Sequence, residues 1–240
     1  DLLSVLISGH TACVKLSSQD AALPLWLIQE LKRIEPRFSD RIQVEDMLKN
    51  KQAYIATGSD NSARYFNYYF GKYPHLIRSN RTSVAILQGD ESPADLQALG
   101  ADIFDYFGLG CRNVSKVFVK NQGQLTDLLD ALEPFSWVAN HHKYFNNYEY
   151  NKSIYLVNRT PHLDNGFLLL KESSDLVSPI GVLFYEIYSE EHELKTKLKD
   201  LDAKIQCVVG NQTMDLPGII PFGQTQCPQP WDYADGVDTL

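Results

Sequence analysis

The sequence has no uninterrupted apolar run of membrane-spanning length and only four cysteines among its 240 residues. A transmembrane helix needs about 20 consecutive apolar residues, so the sequence predicts none. Cys13, Cys111, Cys207 and Cys227 are widely separated and form no CxxC pair. Their spacing suggests neither a zinc site nor a disulfide framework, and it fits a protein of the reducing cytoplasm.

The chain also lacks an excess of positive charge, with 22 Lys and Arg against 30 Asp and Glu and a formal net charge of -8. This balance argues against nucleic acid or an anionic membrane surface as the main partner. A hydrophobic content of 44% is ordinary for a globular protein, and the length allows one large or two modest domains.

The first nine residues have no initiator Met, no basic region and no small-residue cleavage site, so they do not form a signal peptide. Apolar residues recur there at helical spacing and stop at Gly9, which predicts the second half of a helix and its cap. We therefore expect that an N-terminal part of the fold precedes Asp1.

Strand and helix patterns alternate along the whole chain, which predicts an α/β fold with mainly parallel sheets. A polar stretch at 79–81 predicts a boundary between a first domain, 1–80, and a second domain, 81–215, with 216–240 packing back on the fold. The predicted strands are 11–16, 41–44, 53–57, 84–87, 116–119, 167–170, 181–188 and 204–209, and the predicted helices are 20–34, 59–70, 93–107, 125–132, 140–150 and a Glu/Lys-rich segment after 188. Cys13 and Cys207 fall in apolar strands and are predicted to be buried thiols.

Cys111 lies in a glycine-rich turn, Gly108-Leu109-Gly110-Cys111-Arg112-Asn113, between a predicted helix and a predicted strand. Glycines leave room for a substrate to approach, and the backbone N–H groups of such a turn can face a developing oxyanion. The turn is therefore typical of a nucleophile. The alternative is a cysteine that serves only as a small hydrophobic residue.

Three other segments have residue types suited to binding. Lys15, Ser17 and Ser18 lie at the carboxyl end of a predicted strand, where ligands bind in open α/β sheets, although a solvated strand end would look the same. Thr57-Gly58-Ser59 joins a strand to a helix start that could hold a phosphate or simply cap the helix, and no GxGxxG is present. Pro221-Phe222-Gly223 and the closing Trp231-Asp232-Tyr233-Ala234 indicate an irregular packed loop.

His141 and His142 are adjacent and favour a packed or surface segment over a metal site.

The order of these segments resembles the aldehyde dehydrogenase superfamily. The run 6–18 is similar to its "AAGNTVVVKPSE" segment, Thr57-Gly58-Ser59 to "FTGS", Gly108–Cys111 to "GQxC" and Ile220–Gly223 to "PFGG". The segments 54–59, 108–115 and 231–236 resemble more closely its LuxC-type acyl-CoA reductase branch. The resemblance implies a Rossmann-type cofactor domain, incomplete at its N-terminus, and an α/β catalytic domain.

The resemblance also implies roles for residues. Cys111 would accept the acyl group, Lys15 would bind the adenosine ribose, and Gly58 and Ser59 would bind the pyrophosphate. Asp175, in Asp175-Leu176-Val177-Ser178-Pro179, would take the place of the ribose-binding glutamate of the family's "EIFGP" segment, which it matches more weakly. Ser18 stands where NAD-preferring members have a glutamate that repels a 2′-phosphate, so NADPH is the expected cofactor.

Two departures from the family pattern refine the expected reaction. The position of the water-activating glutamate falls near Ile77-Arg78, where there is no carboxylate, so reduction of an acyl-CoA to an aldehyde is favoured over hydrolysis. The family's oxyanion asparagine would lie upstream of Asp1. The alternatives are a reductase of other thioesters or acyl phosphates and a non-catalytic protein with the same fold. The resemblance implies a homodimer or homotetramer, with acyl-CoA as substrate.

Overall fold

The computed structural model describes residues 1–18, 20–58, 60–229, 232 and 237, with the side chain of residue 60 left undescribed. The chain divides into two compact units, Asp1–Ser79 and Asn80–Asp235. No helix in the described ranges has the length and apolarity needed to cross a bilayer.

The first unit contains two small parallel sheets. Strand β1 pairs with β2, and strand β3 pairs with β4, each pair in parallel register. Its elements in chain order are α1 (Leu2–Ile7), β1 (Ala12–Val14), α2 (Ala22–Ile34), β2 (Ile42–Val44), β3 (Tyr54–Thr57), α3 (Asp60–Phe70) and β4 (His75–Arg78).

The second unit is built on a seven-stranded sheet in the order β11-β10-β5-β6-β9-β8-β7. Its strands are β5 (Thr82–Ile86), β6 (Val114–Val119), β7 (Leu163–Asp164), β8 (Leu169–Glu172), β9 (Val182–Ile187), β10 (Ile205–Val209) and β11 (Ile219–Ile220), and its helices are α4 (Pro93–Phe104), α5 (Gly123–Ala131), α6 (His142–Val157) and α7 (Glu191–Asp200). The described pairings are parallel except the antiparallel pair of β7 and β8.

Helices cover both faces of this sheet, and the strand sequences explain why. Along β5, Ala85 packs in a cluster with residues of α4, α5 and α6, whereas Val84 and Ile86 pack with residues of α7. Because successive strand side chains point to opposite faces, a strand buried on both faces is largely apolar along its length. The predicted α/β fold with mainly parallel sheets is therefore confirmed.

The start of α4 follows from its sequence, since Ser92 and Asp95 form a capping box and Pro93 occupies the first turn. Its end differs from the prediction of a helix over 93–107. The α-helix ends at Phe104, and a short 3-10 turn, Asp105–Gly108, follows. Tyr106 and Phe107 there have φ angles of 54° and 58°, which no α-helix contains.

Two further expectations need correction. Cys13 is only partly buried, whereas Cys207 is buried as predicted. On α2, Ile28 is buried, but Leu23 and Leu27 of the predicted apolar face are exposed. In the described structure the short β1–β2 sheet covers only part of this helix surface, so periodicity alone overestimates its burial.

Candidate active site

The turn that carries Cys111 begins with three consecutive residues in the left-handed region. The φ angles of Tyr106, Phe107 and Gly108 are 54°, 58° and 72°. Glycine adopts this conformation freely, but for the two aromatic residues it is strained and must be held by contacts. The Phe107 ring stacks on His141 with ring centroids 3.9 Å apart. A strained backbone fixed by packing is common at functional sites.

Asn113 fixes the other end of the turn. It is 2% exposed, and its side-chain amide donates to the backbone carbonyls of Asp102 and Asp105 at 3.0 and 2.8 Å. Its Oδ1 accepts the N–H of Gly110 at 2.8 Å. Asn113 thus satisfies carbonyls that the end of α4 leaves open and closes the loop around Cys111.

Cys111 itself is an exposed free thiol. Its carbonyl accepts a hydrogen bond from Ser83 Oγ at 3.1 Å, which ties the turn to the start of β5. Within the described part of the chain, the backbone N–H groups of Cys111 and Arg112 donate to no acceptor. The arrangement therefore offers an accessible sulfur and free N–H groups next to it, as attack on a carbonyl requires.

Arg112 points from the turn into the protein. Its Nη1 lies 3.3 Å from Cys207 Sγ and donates to the carbonyl of Thr225 at 2.9 Å. Burial raises the pKa of the Cys207 thiol, and the nearby Arg112 charge opposes that shift only in part. Cys207 is therefore a poor nucleophile compared with the exposed Cys111.

The two adjacent histidines have separate environments. His141 is the N-cap of α6, where its Nδ1 accepts the N–H of Tyr144 at 3.2 Å, and its ring stacks on Phe107. His142 is exposed. No group of three or more potential metal ligands occurs among the described residues.

The predicted cofactor residues of the first unit follow two different strands. Lys15 directly follows β1 and Ser18 lies three residues further on, and both side chains are exposed, so both are open to a nucleotide. Gly58 follows β3, and a Cβ there would lie 2.8 Å from Ser62 Cβ, so the tight start of α3 admits only glycine without rearrangement. Ser59 lies outside the described residues. These surroundings fit a nucleotide, whose phosphate and ribose need exposed donors at strand ends.

Asp175, the other predicted ribose ligand, is exposed in the loop between β8 and β9, and its N–H donates to Ser173 Oγ at 3.1 Å. The same loop is held by the first residues of β6. Ser115 Oγ donates to the carbonyl of Leu176 at 2.8 Å, and Lys116 Nζ to that of Ser173 at 2.9 Å. The loop of Asp175 is thus attached to the strand that begins just after the Cys111 turn.

Lys116 is a buried cation that sequence reasoning missed. It is 1% exposed and pairs with Glu186 Oε2 at 2.6 Å, and Lys197 also contacts that carboxylate. Burial lowers the pKa of Lys116, which the neighbouring carboxylate only partly offsets. Its position inside an apolar strand, Val114–Val119, is the only signal in the sequence that it needs a partner.

Comparisons with known proteins agree on the fold. No protein-family model matches the chain, and no curated protein sequence matches it significantly. Among solved structures, a substrate-bound AldH from Staphylococcus aureus matches with a TM-score of 0.62 and 13% identity over 89% of this chain and 54% of its own. A putative methylmalonate-semialdehyde dehydrogenase from Sinorhizobium meliloti, complexed with NAD, matches with a TM-score of 0.66 and 14% identity over 88% of this chain and 53% of its own.

An NADP-dependent glyceraldehyde-3-phosphate dehydrogenase from Bacillus halodurans, complexed with NADP, matches with a TM-score of 0.57 and 13% identity over 86% of this chain and 51% of its own. The chain therefore spans about half the length of these solved structures. Two of these neighbours are named as dehydrogenases, and identities of 13–14% show likeness of fold. The fold of this chain is accordingly an α/β fold of the aldehyde dehydrogenase type.

Proposed function

We propose that the protein reduces long-chain acyl-CoA to the aldehyde, with Cys111 as the acyl-accepting nucleophile and NADPH as the reductant. The observation that carries the proposal is the exposed thiol of Cys111 beside two backbone N–H groups without acceptors in the described chain. The aldehyde dehydrogenase-type fold supports it, because the matched structures include NAD and NADP complexes.

In the first step the Cys111 thiolate attacks the thioester carbonyl. The new bond joins Cys111 Sγ to the acyl carbon, the bond from that carbon to the CoA sulfur breaks, and CoA leaves as a thiolate that takes up a proton. The negative charge on the carbonyl oxygen develops next to the Cys111 and Arg112 N–H groups, where hydrogen bonds stabilise it. The product is an acyl-enzyme.

When bound, NADPH would supply a hydride to the acyl carbon, with the aldehyde, the Cys111 thiolate and NADP+ as the products. Lys15 and Ser18 are proposed to hold its adenosine ribose and 2′-phosphate, Gly58 and Ser59 its pyrophosphate, and Asp175 its second ribose. The exposed ammonium of Lys15 and neutral hydroxyl of Ser18 suit a phosphorylated ribose.

The residues at 77–78 favour reduction over hydrolysis. A hydrolytic dehydrogenase needs a carboxylate base to activate water. Here Ile77 is apolar and Arg78 is a buried cation that binds the Asp1 carboxylate at 3.1 Å. Neither side chain can remove a proton from water.

The proposal is tested by mixing the 240-residue chain with a long-chain acyl-CoA and measuring protein mass and free CoA. We expect one acyl adduct, located on Cys111 by peptide mapping, and release of one equivalent of CoA. Cys111→Ala should give neither product, while Cys227→Ala, which removes another exposed thiol, should react normally. Acylation elsewhere than Cys111, or equal NADPH oxidation by Cys111→Ala, would contradict the proposal.

A further inference from the structure

A buried carboxylate, that of Asp102, lies two residues before the end of α4. Asp102 is 1% exposed in an apolar stretch of the helix. It accepts three hydrogen bonds from one loop: from the N–H of Gly223 at 2.7 Å, and from the N–H and Oγ1 of Thr225 at 3.0 and 2.8 Å. A carboxylate without a donor of its own accepts all three at once, which a neutral amide cannot do.

The loop that Asp102 binds is attached to the residue after Cys111. Thr225 is fully buried, and its carbonyl oxygen accepts a hydrogen bond from Arg112 Nη1 at 2.9 Å. The contacts Asp102–Thr225–Arg112 therefore form a continuous connection from α4 to the Cys111 turn. Gly223 has a φ of 77°, and a Cβ there would lie 3.2 Å from Ala98 Cβ, so the loop fits closely against α4.

A second connection leaves Asp102 through its backbone. Its carbonyl accepts the side chain of Asn113 at 3.0 Å, and Asn113 in turn accepts the N–H of Gly110. The residues immediately before and after Cys111 are thus both linked to Asp102. One link uses the carboxylate and the other the peptide group.

From these contacts we infer that Asp102 is the positioning residue of Cys111, holding the turn so that its sulfur and N–H groups can face one carbonyl. This inference rests on the proposed function. Asp102 touches neither substrate nor cofactor and acts through Thr225 and Arg112.

The cost of keeping this carboxylate supports a functional role. Burial raises the pKa of Asp102, its hydrogen bonds to Thr225 and Gly223 oppose the shift, and Asp105 adds to it. Because the fold disfavours the charged form, a well-packed apolar side chain could serve stability as well as this carboxylate does. Groups retained at such a cost are typical of functional sites.

The first test measures hydrogen exchange of the 105–113 segment in Asp102→Asn. The amide NH2 would face the donor N–H of Gly223 or Thr225, so the loop should detach and the Gly110 and Asn113 amides should exchange at least about tenfold faster. The matched control is Asp95→Asn, which weakens the capping box of the same helix far from the turn. It should leave exchange of the turn unchanged.

The second test separates orientation from simple access. Acylation of Cys111 by acyl-CoA needs an aligned thiol and N–H groups, whereas alkylation by iodoacetamide does not. Asp102→Asn should slow acylation by about 100-fold, the effect of misplacing a reacting group by about 1 Å. The rate of Cys111 alkylation, followed by peptide mapping, should differ less than about threefold between Asp102→Asn and wild type. Thr225→Val should slow acylation of Cys111 as Asp102→Asn does. Thr225→Ser, which keeps the hydroxyl, should be acylated at the wild-type rate.

The outcomes distinguish this inference from the proposed function. Unchanged exchange in both Asp102→Asn and Thr225→Val, or equally fast exchange in Asp95→Asn, overturns the positioning role. So does acylation of Asp102→Asn at the wild-type rate. If the wild-type chain accepts no acyl group while the exchange pattern is as expected, the acyl-CoA proposal fails and the positioning of Cys111 stands.

Discussion

Gly110 and Asn113 are joined across Cys111 by two hydrogen bonds: Gly110 N–H donates to Asn113 Oδ1 at 2.8 Å, and Asn113 N–H donates to the Gly110 carbonyl at 3.0 Å. The pair closes a loop that contains the candidate nucleophile, Cys111, and Arg112. Since Asn113 is buried, the loop is fixed to the protein on its inner side while Cys111 stays exposed.

Replacing Asn113 by Ala should release the turn and the end of α4. The variant leaves the Gly110 N–H and the Asp102 and Asp105 carbonyls without that partner. We expect a loss of about 2–3 kcal/mol in the free energy of unfolding, measured in urea, because buried polar groups lose hydrogen bonds. Asn113→Asp keeps the acceptor for the Gly110 N–H but sets a carboxylate against the Asp102 and Asp105 carbonyls. It should therefore be no more stable than Asn113→Ala. A stable Asn113→Ala variant would contradict this account.

Gly108→Ala should be strained because the residue has a φ of 72°. An L-residue in this region costs about 1–2 kcal/mol, and the strain should also slow acylation of Cys111. Gly166→Ala is the control, since Gly166 has a φ of 94° and open space around it. It should lose comparable stability in urea and keep full acylation, and equal slowing by both variants would refute the assignment.

Glu186→Gln should destabilise the second unit by about 3 kcal/mol, because it leaves Lys116 buried without its counter-charge. Adding Lys116→Met should recover much of the loss, since no charge then remains buried there. Urea unfolding of the two variants measures the difference. Lys195→Ala breaks the exposed pair with Asp215 and should cost less than about 1 kcal/mol. Additive effects of the first two substitutions would contradict the pairing.

Asp164 should make the stability of the protein fall at acid pH. Burial alone would raise its pKa, but hydrogen bonds from Lys152 and Tyr148 outweigh this and hold the pKa below its usual value. A carboxyl whose pKa is lower in the folded state stabilises the protein above its unfolded pKa of about 3.9. That contribution is lost as the pH falls through the lower, folded pKa. Thermal unfolding between about pH 5 and pH 2 should therefore be less pH-dependent in Asp164→Asn than in wild type. Identical profiles would exclude this role.

Ser18→Glu should weaken NADPH binding relative to NADH. A carboxylate at this exposed position would repel the 2′-phosphate, and we expect the preference to shift by about tenfold or more, equivalent to about 1.4 kcal/mol. Fluorescence titration with each nucleotide measures the shift. Ser17→Glu places the same charge one residue away as the control. An equal shift in both variants would show a general charge effect instead of a contact.

The regular elements were largely predictable because local patterns determine them. The predicted starts of the strand near Val84 and of the helix at Pro93 agree with the structure within two residues. The strand depends on an apolar run, and the helix start is fixed by a capping box and Pro93. The strands His75–Arg78, Leu163–Asp164 and Ile219–Ile220 were missed. The last two are only two residues long, too short for a periodicity to appear.

The turn that carries Cys111 was predictable from the sequence, but the contacts that support it were not, and the role of Cys111 stays a prediction. The glycines around Cys111 identified the turn, yet the sequence predicted a helix through Phe107, where the structure has left-handed residues. Helical propensity cannot reveal that stacking on His141 will hold Phe107 in this conformation. The assigned cofactor roles of Lys15, Ser18 and Asp175 stay predictions, and that of Ser59 falls on a residue outside the described ranges.

The sequence by itself determined the alternation of helices and strands, the largely apolar central strands and a thiol between glycines, because each depends on neighbouring residues. Only the tertiary structure decided that Asp102 binds Gly223 and Thr225, 121 and 123 residues away, and that Arg112 reaches Thr225 across 113 residues. Hydrogen bonds over such separations leave no local periodicity. They exist because sheet topology brings the end of α4, the start of β6 and the 223–225 loop together around one buried carboxylate.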